Sequence, residues 1–186
     1  MVAQAEKKIT VNEFLEIDFE EGFIYELING NIMKRTSPNL DHQDASMMLS
    51  TFLNNFILTN KLGKLFAAPT DVYITEFDLV VPDLTFVSND NKDIMLERRC
   101  IVGVPDLIIE ILSKGTKGVD RKDKMTLYCK NGVKEYWIVD PKSEYVEIYV
   151  WEKGVYNLVT VAEDNDVFQS TVLEGFNMNV KDIFNL

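Results

Sequence analysis

The segment Pro105–Leu112 reads PDLIIEIL, an apolar run of strand length interrupted by one glutamate, Glu110. Side chains of a strand alternate between faces, so Leu107, Ile109 and Ile111 fall on one side. Asp106, Ile108, Glu110 and Leu112 fall on the other. An ionised carboxylate among such neighbours is costly unless a cation or hydrogen-bond donors hold it. That cost makes Glu110 the first candidate for a functional residue.

A second acid occupies a similar frame. Leu79–Val87 reads LVVPDLTFV, with Asp83 inside the apolar run. Pro82 cannot donate a ladder hydrogen bond, so it marks a strand start, a bulge or an edge. Two strands each carrying one acid can converge on a divalent cation, because hard cations favour clustered carboxylate oxygens. An Asp after Pro also caps turns, and a strand Glu also pairs with a buried Lys or Arg; spacing alone leaves both readings open.

The remaining elements follow from periodicity and punctuation. Thr10–Glu13 fits a capping box opening a short helix. Phe23–Ile28 and Asn31–Thr36 flank Asn29-Gly30, a hairpin signal, with Glu26 alternating with Ile24 and Ile28. Asp41–Leu62 carries Met48, Leu49, Phe52, Leu53, Phe56 and Ile57 at helical spacing, with Gly63 as its stop and Met47-Met48 read as core. Strand-like stretches at Leu65–Thr75 and Leu79–Val87 precede a polar connection at 89–99 and the Glu110 strand. A helix at about Arg121–Lys130 ends at Asn131-Gly132. Further strands are expected at Lys134–Val139, Glu144–Trp151 and Val155–Ala162. These elements predict an α/β fold, a mixed β-sheet flanked by helices with an N-terminal helix and β-hairpin.

At 186 residues the chain suits a single domain, 1–186. Cys100 and Cys129 form no metal-ligand spacing and no disulfide framework, which points to a reducing cytoplasm. No apolar run approaches membrane-spanning length, so no membrane partner is expected. Acids outnumber bases 30 to 19, for a net charge of −11. That balance argues against tight non-specific binding to DNA over the whole surface, because phosphate neutralisation supplies much of such affinity.

After the Glu110 strand, Asp120, Lys124 and Tyr128 stand four apart, sharing one face of a helix. A short glycine-containing loop returns this helix close to the strand end, so Lys124 can reach the same place as Asp83 and Glu110. The simpler reading is a solvated face with an Asp120–Lys124 ion pair. Lys114, Lys117, Arg121, Lys122 and Lys124 form the densest basic cluster and the best candidate for phosphate contact. His42, the only histidine, suits a local capping role at the start of the long helix. Tyr136-Trp137 suits sheet packing rather than base stacking.

The string VPDLIIEILSKGT…DRKDKMTLYCKNGVKEYWIVDP, with the upstream YELINGNI, SP and His42-Gln43, resembles the Uma-type restriction endonuclease family of the PD-(D/E)-x-K nuclease superfamily. The likeness runs from about Gly22 to Val161. It implies a core of helix, three strands, helix and strand over about 41–140. By position, Asp83 matches the aspartate of the PD motif and Glu110 the (D/E) position. The usual lysine slot two residues on holds Leu112; the family pattern points instead to Lys124 on the following helix, with Lys114 as competitor. Glu26 matches the recurring glutamate of YEL, which implies a further catalytic carboxylate at the site; a hairpin residue pairing with a neighbour is the other reading.

The resemblance implies Mg²⁺-dependent (or Mn²⁺-dependent) hydrolysis of DNA phosphodiesters, with Asp83, Glu110 and the Ile111 carbonyl on the metal. Lys124 would then be the catalytic lysine, steadied by Asp120 and Tyr128. A homodimer would suit cutting of two strands. Two other classes stay open: a catalytically idle copy of the fold that binds a protein, for which Leu112 and the negative charge speak, and a hydrolase of smaller phosphate esters.

Overall fold

The computed structural model describes residues 8–96, 99–113 and 117–184. Helix α1 (Val11–Leu15) opens with the capping box in full: the Thr10 side chain accepts from the Glu13 amide and the Glu13 carboxylate accepts from Thr10. Strands β1 (Ile24–Ile28) and β2 (Asn31–Arg35) pair in antiparallel register around Asn29 and Gly30. Both turn residues take positive φ, 53° and 75°, as a tight Asn-Gly hairpin requires.

Helix α2 (Leu40–Asn60) is capped by Asn39, whose side chain accepts from the His42 amide. Its buried stripe is His42, Ala45, Leu49, Leu53 and Ile57. Met47, expected in the core, is instead 66% exposed, because it lies off that stripe. The helix stops on left-handed Lys61, whose amide reaches the Ile57 and Leu58 carbonyls. Gly63, expected as the stop, instead begins β3 (Gly63–Ala67). A Cβ there would lie 2.2 Å from the Val87 carbonyl oxygen of the neighbouring strand, so close strand approach is what demands the glycine.

Both long strand-like stretches divide. The first gives β3 and β4 (Val72–Thr75); the second gives β5 (Asp78–Val80) and β6 (Leu84–Ser88), with Pro82 in the break. The polar connection holds a 3₁₀ turn at Asn89–Ile94 and a short β7 (Met95–Leu96), followed by β8 (Cys100–Val102). Then come β9 (Leu107–Ile111), a helical turn α3 (Lys117–Val119), a π-turn (Asp120–Lys124) and α4 (Met125–Asn131), ended by left-handed Gly132. Strands β10 (Glu135–Asp140), β11 (Tyr145–Glu152) and β12 (Val155–Glu163) form a meander. A ribbon of β13 (Val167–Gln169) and β14 (Asn177–Asn179) and the short α5 (Lys181–Phe184) complete the described chain.

Two six-stranded mixed sheets result, where the sequence suggested one. The first has order β2-β1-β5-β4-β8-β7 and the second β12-β11-β10-β9-β6-β3. The expected succession of helix, three strands, helix and strand is α2, β3, β6, β9, α3–α4 and β10 in the second sheet; β4, β5, β7 and β8 branch off into the first. The chain crosses between the sheets at Val81-Pro82-Asp83, where the missing proline donor ends one ladder and frees the next.

One face of the second sheet (Leu84, Phe86, Leu107, Ile109, Trp137, Val139) packs on the α2 stripe. The other face (Val87, Ile108, Tyr136, Ile138) packs on α4 and the first sheet. Tyr136 and Trp137 are both fully buried, as expected of packing residues. Among the described residues no helix is long and apolar enough to cross a membrane.

Candidate functional site

Strands β6 and β9 run antiparallel with Leu84 opposite Ile109, so extending that register by one residue sets Asp83 opposite Glu110. Alternation then turns both acids to the face that meets α4 and the first sheet. Asp83 Oδ2 accepts a 2.7 Å hydrogen bond from the Ile111 amide, which ties it to the strand carrying Glu110. Its other neighbour is His42 Nε2 at 3.2 Å. Burial alone would lift the Asp83 carboxyl, but His42, the Ile111 amide and the charge of Lys124 together hold it below the usual range.

Glu110 is fully buried. Its Oε1 accepts from Lys124 Nζ at 2.8 Å and from the Tyr128 hydroxyl at 2.7 Å. Its Oε2 is buried and accepts no hydrogen bond among the described residues. Burial lifts this carboxyl to about 8, against the pull of Lys124 and with a push from Asp120 and Asp83. Lys124 is also fully buried, with Glu26 Oε1 at 2.9 Å and Asp120 Oδ1 at 3.7 Å. Burial works against its charge, but Glu110 and Glu26 outweigh that and hold the ammonium protonated. The simpler expectation of a solvated Asp120–Lys124 face is overturned: both side chains point inward, along with Tyr128.

The π-turn is what brings Lys124 there. It inserts a wider turn between α3 and α4 and turns Asp120 and Lys124 inward together. Tyr136 of β10 donates its hydroxyl to the Asp120 carbonyl at 3.0 Å, fixing the turn to the sheet. Glu26 enters from β1. Its Oε1 accepts from the Val81 amide at 2.7 Å, and its Oε2 lies 2.9 Å from Arg35 Nε without the alignment of a hydrogen bond. Arg35 in turn donates from Nη2 to the Val81 carbonyl at 2.8 Å. Glu26 and Arg35 thus hold both sides of the sheet crossing that precedes Asp83.

The structure therefore brings together Glu26, Asp83, Glu110 and Lys124, each named from sequence. Lys114, the competing lysine, lies outside the described residues. Two members of the expected basic cluster are drawn away from it: Lys124 is buried against acids, and Arg121 is paired with Glu147 at 2.9 Å. The Lys117 side chain, like Lys114, lies outside the described residues. Lys122 lines a separate groove between the hairpin and α4. Leu112, in the usual lysine slot, is buried in the core, its amide bonded to the Val139 carbonyl.

Two members were missed. His42 does not cap its helix; Asn39 does, and the imidazole faces Asp83. Extending the α2 stripe back from Leu49 through Ala45 would have reached it. Arg35 stands opposite Ile24, diagonal to Glu26 in the hairpin register that Asn-Gly fixes, so cross-strand pairing could have found it.

A cleft of about 260 Å³ opens over Asp83, lined also by Arg35, Thr36, His42, Pro69 and Ser113. Among the described residues no three His, Cys, Asp or Glu side chains already converge as a cage for a metal. Asp83 and Glu110 nonetheless suit a hard divalent cation: two carboxyl groups on adjacent strands, one with an oxygen that accepts no bond among the described residues.

No curated protein matches this chain. A crystal structure described as "a putative nuclease belonging to DUF820", from Anabaena variabilis, superposes with a TM-score of 0.76 at 20% identity, covering 95% of this chain and 97% of its own. That likeness extends to the fold, mixed sheets with flanking helices, and accounts for the architecture over nearly the whole chain. The model of the Uma2 family, described as "Putative restriction endonuclease", matches residues 11–181, and the chain belongs to that family.

Proposed function

We propose that this chain is a divalent-metal-dependent endodeoxyribonuclease, its residues 1–186 acting as one nuclease domain. The observation that carries the reading is the pairing of Asp83 with Glu110 across β6 and β9, beneath a cleft, with Lys124 returned against Glu110 from the next helix. Asp83, Glu110 and the Ile111 carbonyl would hold Mg²⁺ or Mn²⁺. When bound, the ion supplies a water of lowered pKa and offsets charge on the scissile phosphate.

The chain's own residues do the positioning. The Ile111 amide and His42 aim Asp83. Lys124 neutralises Glu110 while Glu110 is charged, and its ammonium would offset charge building on the reacting phosphate from behind that carboxylate. Both Glu26 oxygens are engaged by Lys124, the Val81 amide and Arg35, so we assign Glu26 to hold Lys124 rather than to ligate the metal. Tyr128 and Asp120 fix the same lysine from its own helix. Hydrolysis of a diester forms one bond from the water oxygen to phosphorus and breaks one to a sugar oxygen, which leaves with a proton. Cutting both strands of a duplex takes two such sites, and a homodimer would provide them.

A second reading is an idle fold that serves as a protein-binding scaffold. Leu112 in the usual lysine slot favours it, as does the closed pairing of Lys124 with Glu110. Cleavage of supercoiled plasmid in Mg²⁺ or Mn²⁺, with Glu110→Ala as control, separates the two. Nicking by the wild type alone supports the nuclease. No nicking, together with no metal binding by calorimetry, supports the scaffold.

A further inference from the structure

We infer that a groove beside the cleft is the track along which a polynucleotide backbone leaves the site, so that the substrate is a polymer and not a small phosphate ester. The inference starts from the phosphodiester-cleaving reading of the Asp83 cleft and adds the surface that reading lacks. Of the cations named from sequence, Lys124 is buried against acids and Arg121 is paired. Three others meet elsewhere. Lys64 on β3, Lys92 in the 3₁₀ turn and Arg99 just before β8 line one groove of about 760 Å³.

All three are exposed, and none forms an ion pair among the described residues. Asp71 and Asp93 also line the groove, which leaves the cations in excess among its described residues, where the chain as a whole carries −11. Pro69 lines both this groove and the Asp83 cleft, so the two adjoin at that residue. The floor includes Phe66 and Met95, apolar surface against which sugars and bases can lie while phosphates meet the cations. A mononucleotide or small ester bound at Asp83 would leave this surface uncovered. A longer strand would fill it. The cations come from three separate segments that only the fold brings together, which is why the sequence pointed to the contiguous cluster around Arg121 instead.

The test compares wild type with Lys64→Ala/Lys92→Ala/Arg99→Ala. A second variant, Lys122→Ala/Lys130→Ala, removes cations from the groove between hairpin and α4 and serves as control. Binding of a labelled DNA duplex and of a labelled single strand is followed by fluorescence anisotropy over a range of salt. Hydrolysis of bis(p-nitrophenyl) phosphate is followed in parallel. The triple variant should bind DNA at least about tenfold more weakly, and its salt slope should fall by about two to three. Its hydrolysis of the small diester should be unchanged, and the control should bind as wild type does. A triple variant that keeps affinity and slope overturns the track while leaving the nuclease reading intact. No DNA binding by the wild type also overturns it. Groove-dependent binding by a wild type that cleaves neither substrate would fail the nuclease reading and leave the track standing.

Discussion

Lys124 Nζ lies 2.8 Å from Glu110 Oε1 with both side chains fully buried, fourteen residues apart in sequence. Such a pair is a structural element as well as a chemical one. Removing only the cation would leave Glu110 and Glu26 facing each other without it, at a cost of about 3–5 kcal/mol for a broken buried pair. Lys124→Met should therefore lower the urea midpoint as well as abolish cleavage. Lys124→Met/Glu110→Gln should recover much of the stability and none of the activity. A double variant no more stable than the single one would mean that Lys124 is not held by Glu110.

Glu110 carries a pH signature of its own. Burial raises its folded value to about 8 from an ordinary 4.5. Between those values the folded chain keeps a proton that the unfolded chain has released, so the contribution of this group to stability is full below about 4.5 and lost as pH rises through about 8. Urea denaturation across that window should show the wild type losing stability relative to Glu110→Gln as pH rises. Parallel curves for the two proteins would exclude the shift.

His42 should act through Asp83. Its Nε2 stands 3.2 Å from Asp83 Oδ2, and its Nδ1 is buried with no hydrogen-bond partner among the described residues. Groups that orient a metal ligand are worth about 10–100-fold in metal affinity. His42→Ala should weaken Mn²⁺ binding within that range by calorimetry while keeping the wild-type circular dichroism spectrum. Undiminished affinity would make His42 a packing residue of the α2 stripe.

How much of this was legible in the sequence depends on the range of the signal. Elements with local causes came through: the Thr10–Glu13 capping box, the Asn29-Gly30 hairpin, the Gly132 helix stop and the alternation that isolates Glu110. Asp83, Glu110, Lys124 and Glu26 were found because an acid in an apolar strand needs a partner, and the family likeness named which. What depended on tertiary pairing was lost. Nothing local shows that Pro82 marks a crossing between two sheets, since a proline break looks the same at a bulge or an edge. Lys124 and Arg121 were misplaced in the basic cluster because proximity in sequence says nothing about facing: the π-turn rotates Lys124 inward while Glu147, on β11, takes Arg121. His42 was read as a cap because it stands at the start of the long helix, but the helix begins two residues earlier and Asn39 holds the capping place.

Metal addition gives the most direct check on Asp83. A ligand that binds only the folded chain raises its stability in proportion to the logarithm of its concentration over its dissociation constant. Mn²⁺ should therefore raise the thermal midpoint of the wild type, and excess EDTA should return it. Asp83→Asn keeps an acceptor oxygen for the Ile111 amide but loses the charge that a divalent ion needs, so its midpoint should not respond to Mn²⁺. Its own stability should differ from the wild type in acid. The folded value of Asp83 lies below its ordinary 3.8, so the group's contribution is present above that value and lost as pH falls through the folded one. The asparagine variant should lack that acid limb. A metal response that survives in Asp83→Asn would place the cation elsewhere and detach Asp83 from Glu110 as a ligand pair.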